Sequence, residues 1–228
     1  MANSESNIFV EARNLGKQVS TREGVLTILD DINFGIDAGT SIAILGASGS
    51  GKTTLLQSFL AELEDDVVYA VVSQTQLTAT QFLQAVLTEF GFKPFDKRKV
   101  ELLDMLNMFL IEQYSNGKKV VLIVDEAQNL SKKVLEEIRL LSGIETHKEK
   151  VLRIILAGQP ELKDTLESPS LQQLVQRVRL RFLVGRVRSG VTWRRDFHVT
   201  RIGRSRNLRD RRVDLCLGVD VRAVRLLR

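Results

Sequence analysis

Eight consecutive residues, Gly46, Ala47, Ser48, Gly49, Ser50, Gly51, Lys52 and Thr53, satisfy the pattern G-x-x-x-x-G-K-[ST] in full, and Thr54 follows. They lie between an apolar run, SIAILG, and the helix-forming TTLLQSFL, which is the context a phosphate-binding loop requires. The glycines let backbone N–H groups turn inward around phosphates, and the following helix start adds positive potential. In such a loop Lys52 bridges the β- and γ-phosphates and the Thr53 hydroxyl ligates Mg²⁺. The loop by itself names a nucleoside triphosphate but not its base.

Hydrolysis needs carboxylates, and a second segment supplies them. In VVLIVDEAQNL an apolar strand runs into Asp125 and Glu126. An isolated Asp-Glu pair after a strand ordinarily reads as a solvated acidic turn. The phosphate loop about 70 residues upstream favours the other reading, in which Asp125 holds Mg²⁺ and Glu126 polarises the attacking water. Two further candidates each have a plainer alternative. Gln159, which ends the apolar IILAGQPEL, either senses the γ-phosphate or caps the next helix. Arg177, in QRVRLRF with Arg179 and Arg181, either reaches a neighbouring subunit's nucleotide as an arginine finger or is solvated on an edge strand.

The elements that must position these residues follow from periodicity. Residues 6–13 and 25–35 alternate as two short strands joined by the polar STREG. SIAILG, VVYAVVS, KKVVLIV, VLRIILAG and VRLRFLV are short apolar runs that read as buried parallel strands. Between them lie amphipathic helices, one with Asp96 as its expected cap and Asn116-Gly117 at its end, another capped by Ser131. The expected fold is α/β: a phosphate-loop nucleotidase with a parallel sheet covered by helices on both faces, preceded by a short antiparallel strand pair. An additional strand is expected between the loop strand and the acidic strand. The expected division is a strand pair over 1–40, a nucleotide-binding core over 41–184 and a basic tail over 185–228.

Bulk composition narrows the class. The chain has 228 residues, 43% hydrophobic and 27% charged, ordinary values for a globular protein. No apolar run has the length of a membrane span, and the N-terminus lacks a secretory signal pattern. The single Cys216 cannot form an internal disulfide, so a cytoplasmic setting is expected. His147 and His198 have no ligand-like neighbours. The net charge of +5 conceals an asymmetry: residues 183–228 hold 13 arginines and four aspartates, a charge of +9, which leaves −4 on the rest.

From Asp65 to about Phe182 the chain resembles the AAA ATPase domain of the general secretion pathway protein A family. The segments VVLIVDEAQNLS, LEEIRLLSGIET, KVLRIILAGQPEL and LVQRVRLRF carry the resemblance, in that order and spacing. It implies ATP as the nucleotide, a homo-oligomer, and service to secretion or pilus assembly machinery at the cytoplasmic face of the bacterial inner membrane. Relatives of the domain also act as transposition helper ATPases. The first 60 residues, with ARNLGKQV and LTILDDINFGIDAGTSIAILGASGSGKTTLL, are instead similar to an ABC transporter ATPase of the lipoprotein-export type. An ABC site needs an LSGGQ-like signature shortly before the acidic strand. Here LLDMLNMFLIEQYSNGKK precedes it, the LSG of LLSGIET follows it, and the adenine-stacking position falls on Val19.

In the secretion family QRVRLRF leads into a small helical lid. In this chain the arginine-rich residues 185–228 follow, either as a disordered or frame-shifted tail or as a basic segment that binds nucleic acid or anionic lipid. With one tryptophan, Trp193, and no interleaved aromatic platform, the nucleic-acid reading is not favoured. The expected activity is Mg²⁺-dependent ATP hydrolysis. The alternatives are an ABC transporter subunit partnering a permease and a DNA-binding helper ATPase.

Overall fold

A computed structural model describes residues 8–22, 24–37, 40–146 and 149–184. Two long strands open it, β1 (Ile8–Thr21) and β2 (Gly24–Asp37), paired antiparallel. Next come β3 (Ser41–Gly46), α1 (Lys52–Leu60), β4 (Val67–Val72), α2 (Ala79–Glu89) and α3 (Lys99–Ser115). The chain continues through β5 (Lys119–Val124), α4 (Lys132–Leu141), β6 (Leu152–Gly158), α5 (Glu161–Leu166), α6 (Gln172–Arg177) and β7 (Val178–Val184).

The strands β3 to β7 form one parallel sheet in the order β4-β5-β6-β3-β7. Strand β6 therefore stands between the loop strand β3 and the acidic strand β5, as the additional-strand reading requires. Successive residues of a strand point to opposite faces, and here both faces are buried, which is why the strands read as unbroken apolar runs. On one face Ala43, Leu45, Leu122, Val124, Ile154 and Leu156 pack beneath α2 to α6. On the other, Ile42, Ile44, Val121, Ile123, Ile155 and Ala157 meet α1 and the β1–β2 pair. One helix and an antiparallel ribbon thus cover the second face.

The ribbon is longer than the sequence suggests, because the first strand runs on past Asn14 through a bulge instead of ending at residue 13. Asn14 and Asp31 take left-handed backbones, with φ of 52° and 48°, next to shifts in the pairing register. Asn33 holds the irregularity together. Its Oδ1 accepts from Asn14 N–H at 2.8 Å, and its Nδ2 donates to Asp31 Oδ1 at 2.9 Å. A bulge bends a strand without ending it.

Phe9 of β1 pins the ribbon to the sheet by lying 4.0 Å from the Arg153 guanidinium of β6. Arg153 is fully buried and donates to the Lys150 carbonyl. Loss of solvent pushes its pKa down to about 10, against the opposing pull of Glu149.

Asp96 does not cap α3. It occupies a left-handed turn, with φ 59°, and the cap falls on Arg98, whose N–H donates to Glu101 at 2.7 Å. That backbone bond and the Arg98 guanidinium hold the Glu101 carboxyl below its usual range. The expected Ser131 cap of α4 is present, with its hydroxyl accepting from Val134 N–H.

Helices α3 and α4 are joined by Lys99 and Glu137, whose carboxylate is almost entirely buried. Removing the cation strands that carboxylate. Because Lys99 is partly exposed, Lys99→Met is expected to lower stability by about 2 kcal/mol rather than the larger cost of a fully buried pair. Urea denaturation measures this, and Lys99→Met with Glu137→Leu should recover most of the loss.

Candidate active site

The loop between β3 and α1 is shaped by glycines that the backbone demands. Gly49 and Gly51 have φ of 73° and 89°, where side-chain-bearing residues are strained. Gly51 is also the cap position of α1 and offers no side-chain acceptor. The first N–H groups of the helix are thus left for an anion.

Lys52 is 5% exposed, and its Nζ donates to the carbonyls of Gly46 at 2.7 Å and Ala47 at 3.2 Å. No carboxylate forms an ion pair with it among the described residues. The buried Ser50 hydroxyl has no hydrogen-bond partner among them either. An orphaned hydroxyl and a cation satisfied only by its own loop are what phosphate oxygens would complete.

The acidic strand delivers its carboxylates to the same place. Asp125 N–H donates to the Val72 carbonyl of β4 at 3.0 Å, which seats the residue at the strand end. Its Oδ2 accepts from the Thr53 hydroxyl at 3.3 Å, and its Oδ1 from Glu126 N–H at 2.8 Å. Thr53 and Asp125 are two hard oxygen donors beside a phosphate loop, and they fit Mg²⁺, which takes few protein ligands and fills its shell with water and phosphate. Glu126 has φ 51°, a strained conformation for a non-glycine residue.

Glu126 lines an open cleft of about 580 Å³ with Ser48 to Thr54. The opposite wall comes from β2, at Leu26, Thr27 and Ile28. Nothing in the sequence motifs pointed to that wall; only the packing of the ribbon over α1 places it there. Val19 is paired with Leu26 and partly exposed.

Gln159 follows β6, and the contact that ties it to the site is made by its backbone. Gln159 N–H donates to Gln128 Oε1 at 2.9 Å, while Gln128 Nε2 donates to Glu126 Oε2 at 2.6 Å. The next helix, α5, is capped at Pro160 without a side-chain bond, so the Gln159 amide is not spent as its cap. Gln128 was not among the residues expected from sequence; its partners are distant in the chain or hidden in a single 3-10 turn, Ala127–Asn129. Arg177 is the last residue of α6, but its side chain, with those of Arg179 and Arg181, lies outside the described residues. So does the basic segment 185–228. Ser142 of the LSG triplet is buried, its hydroxyl donating to the Arg139 carbonyl at 2.7 Å, which is not the exposed placement a signature facing a partner needs.

Phosphate loop, inserted strand and paired carboxylates agree with the comparison to protein families, in which the AAA domain matches residues 36–166. The chain belongs to the AAA domain family. This AAA domain is 38% identical over 157 residues to General secretion pathway protein A of Aeromonas hydrophila, covering 68% of the chain and 28% of that protein. It is also 43% identical over 51 residues to the lipoprotein-releasing system ATP-binding protein LolD of Rickettsia bellii, 22% of this chain and 23% of that one. A second such protein, LolD 2 of Rhodopseudomonas palustris, is 31% identical over 142 residues, 61% of this chain and 59% of its own.

Both resemblances in the sequence are therefore supported. In fold, the AAA domain superposes on the ORC2 protein of Aeropyrum pernix with a TM-score of 0.52 at 16% identity, over 64% of this chain and 43% of that one. The protein is a phosphate-loop ATPase of AAA type, related to both groups. No helix among the described residues is long and apolar enough to cross a membrane.

Proposed function

We propose that this AAA domain hydrolyses ATP with the phosphates on residues 46–54 and with Glu126 as the base. The observation that carries the reading is the contact of Thr53 with Asp125 at 3.3 Å, with Glu126 bonded to the same carboxylate. It brings the loop from the front of the chain and the acidic strand from its middle into one constellation. Lys52 exchanges its two carbonyl partners for β- and γ-phosphate oxygens. Glu126 accepts a proton from water as the water oxygen bonds to the γ-phosphorus. The bond from that phosphorus to the bridging oxygen breaks, and ADP leaves with the electron pair. Thr53 and Asp125 would hold Mg²⁺, which would supply charge neutralisation at the phosphates.

Gln159 is assigned the role of γ-phosphate sensor on its position at the end of β6 and its N–H bond to Gln128. Arg177 is assigned to a second copy's nucleotide on its position before β7, which implies a homo-oligomer.

The relationship to protein A supports a role in bacterial secretion or pilus assembly, at the inner face of the inner membrane. A chimaera of the Aeromonas protein carrying this chain in place of its own AAA domain tests that role. Restored secretion supports it; an ATPase-active chimaera that does not secrete counts against it. The hydrolytic claim is tested by metal removal. A chelator is expected to stop phosphate release and added Mg²⁺ to restore it, measured as steady-state turnover. Turnover unaffected by chelation would remove Thr53 and Asp125 from the mechanism.

A further inference from the structure

Gln128 is neither a phosphate-loop residue nor one of the paired carboxylates, yet both ends of its amide are committed within the site. Its Nε2 donates to Glu126 Oε2 at 2.6 Å, and its Oε1 accepts Gln159 N–H at 2.9 Å. The surroundings are built to fit it. Gly158 lies against the amide so closely that a Cβ there would come within 2.9 Å of Gln128 Oε1 and of Leu162 Cδ2, and within 3.3 Å of the Gln128 backbone nitrogen. Glu126, at φ 51°, has a backbone that is strained for its type and needs surrounding contacts to persist. A long carboxylate on such a backbone has several rotamers open to it, and a fixed donor selects one of them.

We propose that Gln128 is the positioning residue of the hydrolytic step. It holds one oxygen of Glu126 so that the other faces the attacking water, and it fixes the carboxylate to the end of β6 through Gln159. The inference rests on Glu126 being the base. Gln128 touches neither nucleotide nor water; it acts through Glu126. The chain of bonds runs Thr53, Asp125, Glu126, Gln128, Gln159, so the start of α1, the end of β5 and the end of β6 are linked through side chains and the N–H groups of Glu126 and Gln159. A displacement of Gln159 by the γ-phosphate would reach the base through this amide.

The experiment is a mutant cycle on the full chain with Mg-ATP. Gln128→Ala is expected to lower kcat about 10- to 100-fold, the scale of a misplaced reacting group, with KM changed less than about threefold. Gln128→Glu keeps the shape and can still accept Gln159 N–H, but it sets a carboxylate against Glu126 in place of a donor. It is expected to lose turnover to the same degree, with a thermal midpoint close to wild type.

In a Glu126→Gln background, Gln128→Ala is expected to have no further effect, because a positioning residue has nothing left to position. Wild-type kcat in Gln128→Glu would show that only the contact to β6 matters and would overturn the proposal. So would an equal fractional loss from Gln128→Ala in both backgrounds. The parent reading fails separately, by full turnover in Glu126→Gln alone.

Discussion

Lys52→Met is expected to weaken ATP binding about 10- to 100-fold and to abolish measurable turnover. In the present arrangement the Lys52 ammonium is buried and bonded to the Gly46 and Ala47 carbonyls, so it already lies at the floor of the loop. Its charge-assisted bonds to phosphate oxygens are worth about 1.5–3 kcal/mol, which sets the affinity loss. The chemical step loses more, because the charge that develops on the transferring phosphoryl group has no other buried cation among the described residues of the loop. The same change leaves the two carbonyls without a donor, at a stability cost of about 1–2 kcal/mol. Titration calorimetry with ATP, phosphate release and a thermal melt separate the three effects. A variant that binds ATP as wild type does would remove Lys52 from phosphate recognition.

Glu126→Gln is expected to act on the chemical step alone, with a smaller effect on everything else. A positioned general base contributes about 10²- to 10⁴-fold, and kcat is expected to fall within that range. The substituted amide has the shape of the carboxylate, and its oxygen still accepts from Gln128 Nε2. Folding and ATP affinity are therefore expected to stay within about twofold of wild type, as a charge removed beside the γ-phosphate does not weaken binding. Steady-state turnover and equilibrium binding on the same preparations measure the split. If both fell together, Glu126 would be a binding or structural group instead of the base.

Much of this site is legible in the sequence because its chemistry is local. Gly49, Gly51 and Lys52 must lie close together in the chain for one turn to wrap a phosphate, so the loop is visible as a string. The alternation of apolar runs with helical segments likewise gives a parallel sheet, and the apolar KVVLIV before Asp125 places that carboxylate at a strand end. What escapes is set by contacts across the fold. Asn14 looks like a strand terminator until Asn33, on the opposite strand, is seen to stabilise a bulge there. Asp96 has the right chemistry for a cap, but the side chain that caps is Glu101, one turn into the helix.

Gln128 is an unremarked polar residue until β6 brings Gln159 alongside it. Leu26 to Ile28 become a wall of the cleft only when the ribbon folds over α1. The two resemblances in the sequence meet in the same way: the ABC-like front contributes the ribbon and the phosphate loop, and the secretion-type body contributes Asp125, Glu126 and Gln128. Their contact through Thr53 and Asp125 makes them one site.

Hydrolysis of ATP by these two halves together, through Glu126, is tested by the identity of the nucleotide each protein retains. Wild type and Glu126→Gln are incubated with Mg-ATP, separated from free nucleotide, denatured and analysed by chromatography. ADP is expected on the wild-type protein and ATP on the variant, at equal occupancy. ADP on both, or ATP on both, would contradict it.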